Sequence, residues 1–133
     1  MVANKYGQHI VLDSGYRSRL EERIAIALKL SKVTFKYEEL VLKYSKPVTH
    51  HRYTPDFVLP NGIIIEAKGL FDSTDRKKHL YVQDQHPDLD IRFVFSRSKS
   101  PLYKGAKSTY GQWCTKHGFQ YADKLIPKGW INE

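Results

Sequence analysis

Tyr53-Thr54-Pro55-Asp56-Phe57-Val58-Leu59-Pro60-Asn61-Gly62-Ile63-Ile64-Ile65-Glu66-Ala67-Lys68 reads as a β-hairpin carrying two carboxylates and a lysine near its strand ends. The turn decides whether those three groups meet. A two-residue Asn61-Gly62 loop pairs Pro60 with Ile63, sets Asp56 opposite Ala67 and points it away from Glu66 and Lys68. A three-residue Pro60-Asn61-Gly62 loop pairs Leu59 with Ile63 and sets Asp56 opposite Glu66, with Lys68 two residues on along the same face. Proline's fixed φ suits the first loop position, and glycine suits the left-handed one. The turn chemistry therefore favours the register that gathers the charges. Two carboxylates can hold a hard divalent cation through oxygen. A lysine beside them can orient or deprotonate a water, or stabilise charge on a phosphate. The plainer alternative is an ordinary hairpin with charged ends.

The rest of the chain bounds the chemistry. Its 133 residues make one domain, 1–133, large enough for a core. The net charge of +8 and sequence pI near 9.5 favour a polyanionic partner, a signal that a noncatalytic nucleic-acid-binding protein would share. The single cysteine, Cys114, excludes an internal disulfide; between Trp113 and Thr115 it reads as a packed thiol in a reducing compartment. No apolar run reaches membrane-spanning length and no signal-peptide core begins the chain, so the expected location is cytoplasmic. His79, His86 and His117 lack metal-ligand spacing, which leaves no zinc site.

Residues 1–14 are expected to be loosely ordered. Ser18-Arg19-Leu20-Glu21 matches a capping box, and Leu20, Ile24, Ala27 and Leu28 continue a helix to about Ser31. Val33 to Tyr37 and Leu40 to Leu42 are β-like. Lys43 to Arg52 is polar, contains Pro47 and reads as an extended connector. Asp72-Ser73-Thr74-Asp75 opens a second helix that stops before Pro87. Ile91 to Phe95 is an apolar strand, and Arg97 to Lys107 a basic loop. Ser108 caps a third helix ending at Gly118, and Phe119 to Ala122 forms an edge strand. That order predicts an α/β fold, a mixed central β-sheet flanked by helices. Tyr110, Trp113 and Trp130 read as core.

Pro55-Asp56 followed by Glu66-Ala67-Lys68 resembles the PD-(D/E)xK nuclease signature. The wider pattern is similar to the phage endonuclease I family of Holliday-junction resolvases. The likeness is carried by Tyr16-Arg17-Ser18, Leu20-Glu21, Tyr53-Thr54-Pro55-Asp56-Phe57, Leu59-Pro60-Asn61-Gly62 and Lys68-Gly69. Arg76-Lys77-Lys78-His79-Leu80, Leu102-Tyr103-Lys104-Gly105 and Ala122-Asp123-Lys124-Leu125-Ile126-Pro127 extend it to nearly the whole chain.

The resemblance implies catalytic Glu21, Asp56, Glu66 and Lys68. It implies metal ligation by Asp56, Glu66 and the Ala67 backbone carbonyl, with Glu21 as a further ligand, and Mg²⁺ as the cofactor with Mn²⁺ as a substitute. It implies a homodimer with exchanged segments, in which residues 43–52 bridge two halves and Glu21 of one chain completes the site of the other. The partner is branched DNA, and a phage origin places the enzyme in the host cytoplasm. Arg17, Arg76, Lys77, Lys78, Arg97, Lys99, Lys104 and Lys107 are the candidate DNA contacts. Another nuclease of the superfamily, cutting linear or damaged DNA, is the alternative within the same fold.

Overall fold

Two antiparallel hairpins, adjacent in the chain, organise the molecule. The computed structural model describes residues 2–3, 9–10, 12–46 and 49–133. Its elements are β1 (Val2–Ala3), β2 (His9–Ile10), α1 (Arg19–Leu30), β3 (Lys36–Tyr37), β4 (Leu42–Lys46) and β5 (Thr49–Tyr53). They continue with β6 (Phe57–Val58), β7 (Ile64–Lys68), α2 (Ser73–Gln85), β8 (Ile91–Phe95), α3 (Tyr110–His117), β9 (Tyr121–Asp123) and α4 (Lys128–Ile131). The main sheet runs β3-β6-β7-β8-β9, antiparallel on the β3 side and parallel from β7 to β9. This is the mixed sheet with flanking helices that the sequence predicts.

The decisive register is the three-residue one. Val58 pairs with Ile64 and Phe57 with Ile65. Leu59 N–H donates to the Ile63 carbonyl (2.9 Å), and Gly62 N–H to the Leu59 carbonyl (2.9 Å). Gly62 sits at φ +89°, the left-handed conformation this turn requires. The Asn61 side chain also accepts from Ile63 N–H (3.1 Å) and donates to the Trp130 carbonyl (2.8 Å), which ties the turn to the chain's end.

β7 is buried on both faces. Ile63, Ile65 and Ala67 pack with Leu20, Ile24, Ala25 and Leu28 of α1 and with Phe57, Val94 and Trp130. Ala25, rather than Ala27, completes the buried stripe of α1. Ile64 on the other face joins Phe71, Val82, Phe93, Phe95, Tyr110, Trp113 and Phe119. Cys114 lies in this second layer, fully buried, and burial pushes its thiol up to about 12, so it is an inert packing group.

Several expectations shift. β3 is only Lys36–Tyr37, and the β-like Leu40–Leu42 segment becomes the start of β4. Within the segment expected as an extended connector, residues 43–46 and 49–52 are strand residues of β4 and β5, with Leu42 paired to Tyr53, Tyr44 to His51 and Lys46 to Thr49. Alternation across the pair puts Leu42, Tyr44, His51 and Tyr53 on one face, and α2 covers it. The Gln85 side chain bonds both backbone groups of Ser45, and His86 meets the Lys43 carbonyl. Thr109, not Ser108, caps α3 in a reciprocal box with Gln112, and β9 begins at Tyr121. The loose order expected over 1–14 falls largely outside the described residues; β1 pairs with β2, and Leu12 to Tyr16 form a hydrogen-bonded turn. The four-residue α4 is too short to show a period in sequence.

Candidate active site

The cleft lies where α1, the ends of β6 and β7 and the start of α2 converge. It has a volume of about 510 Å³, and Glu21, Asp56, Ala67, Lys68, Asp72, Asp75 and Lys78 are among its lining residues. Glu21 arrives because Ser18 caps α1, its hydroxyl accepting from Glu21 N–H (3.1 Å). The expected capping box is only half formed. Instead of reaching back to Ser18, the Glu21 carboxylate accepts from the Tyr37 hydroxyl and from Arg17 N–H (3.3 Å). Burial and the Glu21 hydrogen bond raise the Tyr37 pKa, so the phenol stays a donor.

Asp56 and Glu66 interlock. Asp56 N–H donates to Glu66 Oε2 (2.9 Å), and Ala67 N–H donates to Asp56 Oδ2 (2.9 Å). Each carboxylate thus takes the place of a ladder partner at the hairpin's open end. Burial, then the charges of Glu66 and Glu21, push the Asp56 carboxyl well above the usual range. Burial penalises Glu66 too, but the contacts with His79 and Lys68 outweigh it and hold this carboxyl down at about 2. Lys68 Nζ lies 3.8 Å from Glu66 Oε1 and 3.7 Å from Asp75 Oδ1. Those carboxylates, with Asp56, overcome burial and raise the Lys68 pKa, so it is an ammonium. That favours charge stabilisation over deprotonation of a water.

A group absent from the sequence reading joins the cleft. The carboxylates of Glu21, Glu38 and Asp56 each offer an oxygen within 4.8 Å of the others. Glu38 has a left-handed backbone (φ 52°), and its N–H donates to the Asp56 carbonyl (3.2 Å). Its side chain pairs with Arg17 Nε (2.9 Å). No spacing rule marks Glu38, because a lone residue in this conformation places its side chain independently of strand alternation. The three-carboxylate donor set is all oxygen and crowded with negative charge, which fits a hard divalent cation. Glu66 stands behind this trio, with Oε2 on the Asp56 amide and Oε1 facing Lys68 and His79.

The candidate DNA contacts divide. Arg17 is paired with Glu38 inside the site. Arg76 donates to the carbonyls of Phe71 (2.6 Å) and Leu102 (3.2 Å), so it anchors the basic loop beside α2. Lys78 lines the cleft 3.6 Å from Asp75. Lys77, Arg97, Lys99, Lys104 and Lys107 are exposed.

The family model for phage endonuclease I matches residues 2–133. The chain is 53% identical over 118 residues to Endonuclease I of Escherichia phage T7, which covers 89% of this chain and 79% of that protein. It is 50% identical over 132 residues to Endodeoxyribonuclease 1 of Enterobacteria phage T3, which covers 99% of this chain and 87% of that one. With Glu21, Asp56 and Lys68 in a single cleft and Glu66 interlocked behind Asp56, the chain belongs to the phage endonuclease I family.

Proposed function

We propose that this chain is a Mg²⁺-dependent, structure-selective DNA endonuclease that resolves four-way junctions and related branched DNA as a segment-exchanged homodimer. The coarser part, cleavage of DNA by an endonuclease, rests on the family and on relatives whose names state that activity. The observation that carries the finer part is the meeting of Glu21, Asp56, Ala67 and Lys68 in one cleft of a chain with net charge +8.

Asp56, Glu66, the Ala67 carbonyl and Glu21 would hold the cation, with Glu38 close enough to join them. When bound, the cation supplies Lewis-acid stabilisation of the scissile phosphate and favours the ionised form of an attacking water. Lys68, held as an ammonium between Glu66 and Asp75, neutralises charge that builds on the phosphate. Tyr37 fixes the orientation of Glu21. The exposed Arg97, Lys99, Lys104 and Lys107 engage phosphates, which give affinity without base readout. Branch selectivity then comes from the shape and charge of a two-fold assembly, which matches the approximate symmetry of a junction.

Exchange has a structural opportunity in the β4–β5 hairpin. The segment before it carries Glu21, and the segment after it carries Asp56, Glu66 and Lys68. In the single chain, Glu21 meets Asp56 of its own sequence. Opening the hairpin between Lys46 and Thr49 would deliver the same Glu21 to a partner's cleft.

Asp56→Ala tests the site. We expect cleavage of a junction to be abolished and junction binding in chelator to be retained, because affinity comes from the basic residues. Near-normal Mg²⁺-dependent cleavage by this variant would remove Asp56 from the mechanism.

A further inference from the structure

His79 is fully buried on α2, and among the described residues neither ring nitrogen has a hydrogen-bond partner. Its surroundings are aromatic: Phe93 lies edge-on at 4.8 Å between ring centroids, Tyr53 at 5.3 Å, and Phe71 at 6.2 Å. A leucine or phenylalanine would fill such a cage without stranding polar atoms, each of which costs ~1–3 kcal/mol when buried unpaired. Most buried polar groups are satisfied, so this histidine wants a reason. Its Nε2 faces the Glu66 carboxylate, 3.5 Å from Oε1. A shift of about half an ångström would make that contact a full hydrogen bond. The Tyr53 hydroxyl, buried in the same cage, is likewise without a hydrogen-bond partner among the described residues.

We propose that His79 is a positioning residue for Glu66: its Nε2–H reaches the carboxylate from inside the core and fixes which oxygen Glu66 turns toward the cleft. This rests on the reading of Glu66 as a metal ligand. The geometry has three sides. Asp56 N–H holds Oε2 (2.9 Å), Lys68 approaches Oε1 from the cleft (3.8 Å), and His79 approaches Oε1 from the core. Lys68 is a flexible charge that also attends Asp75. The imidazole, wedged between rings on a helix, is the rigid member. Carboxylate ligands are oriented by such outer partners, whose loss typically weakens metal binding ~10–100-fold.

The test is calorimetric titration of the full chain with Mn²⁺ alone, without DNA. His79→Phe fills the cage and removes the donor; His79→Gln restores an N–H; Glu66→Gln serves as reference. We expect Mn²⁺ affinity to fall ~10–100-fold in His79→Phe, to recover in His79→Gln, and to fall at least as far in Glu66→Gln. Thermal melting of the Phe variant should match or exceed wild type, so that the loss of Mn²⁺ affinity is not a loss of fold. Junction affinity in chelator should not move. Wild-type Mn²⁺ affinity in His79→Phe, alongside a loss in Glu66→Gln, overturns the proposal and leaves the Glu66 reading standing. Wild-type affinity in Glu66→Gln overturns both. If the Phe variant does not fold, His79→Gln carries the test: near wild-type affinity supports the assignment, and a loss equal to that of Glu66→Gln contradicts it.

Discussion

The two hairpins differ in what holds them. β6–β7 is specified from within: its turn has proline, asparagine and a left-handed glycine in the required places, and β7 is buried on both faces. A one-residue slip there would turn every side chain to the wrong layer, so the register is fixed. β4–β5 is specified from outside. Seven of its ten paired residues are charged or polar, and it is held by Tyr44 and Tyr53 packing into the second core layer and by hydrogen bonds from Gln85 and His86 at the end of α2. The rigid hairpin bears Asp56, Glu66 and Lys68. The loosely specified one joins them to the segment that bears Glu21. The proposed chemistry, which needs fixed geometry, would sit on the first, and any exchange between chains would use the second.

The largest expected effect separates the two roles outright. Glu21→Ala and Asp56→Ala proteins should each be inactive. If β4–β5 opens in a dimer, refolding the two together builds one complete site per heterodimer, from the Glu21 of one chain and the Asp56 cluster of the other. The mixture should then nick one strand of a junction. A site built within one chain leaves every heterodimer with two defective sites, and an inactive mixture rules out exchange.

Next in size is the rigid hairpin's lysine. Lys68→Ala should lower the single-turnover cleavage rate by on the order of 10²–10⁴, with little change in junction affinity. A loss confined to affinity would make Lys68 a binding residue.

A smaller contrast compares what holds each hairpin. Gly62→Ala meets no steric obstacle, so its cost is the left-handed backbone alone, ~1–2 kcal/mol. Gln85→Ala removes exposed hydrogen bonds to Ser45 and should cost less, ~0.5–1 kcal/mol. Chemical denaturation measures both. The reverse order would mean that β4–β5 is the better-determined hairpin.

The smallest effect depends on pH. The Asp56 carboxyl titrates above its ordinary 3.8, so its stabilising contribution is complete below 3.8 and is lost as pH rises through the raised value. Glu66 is depressed from 4.5 to about 2, so its contribution is present above 4.5 and lost as pH falls through about 2. In chelator, Asp56→Asn keeps an acceptor for Ala67 N–H and removes the ionisation cost. Its melting temperature should exceed wild type at alkaline pH, and the gap should close toward acid. A gap that widens toward acid would contradict the Asp56 assignment.

What the sequence disclosed follows the same division. The β6–β7 register, the Ser18 and Asp72 caps, the Ile91–Phe95 strand and the left-handed Gly118 were readable because each depends on a few adjacent residues. The β4–β5 pairing was not, because its partner surface lies on α2, some forty residues away. The Arg76 side chain also anchors backbone, its Nη1 donating to two carbonyls, a contact that no sequence pattern announces. Glu38 and His79 were missed for related reasons. One is aimed by a left-handed backbone, and the other is buried by layers that only the fold brings together. Glu21 was found through resemblance; its capping-box spacing pointed to a structural role that the side chain only half fulfils.

The most direct measurement sets a four-way junction against a linear duplex of equal length on one gel, each with Mg²⁺ and with chelator. The account predicts cleavage of the junction in Mg²⁺, far slower cleavage of the duplex, and none of either in chelator. Equal cutting of both substrates would make the protein a nuclease without branch selectivity. Cutting in chelator would contradict the metal-dependent site built from Asp56 and Glu66.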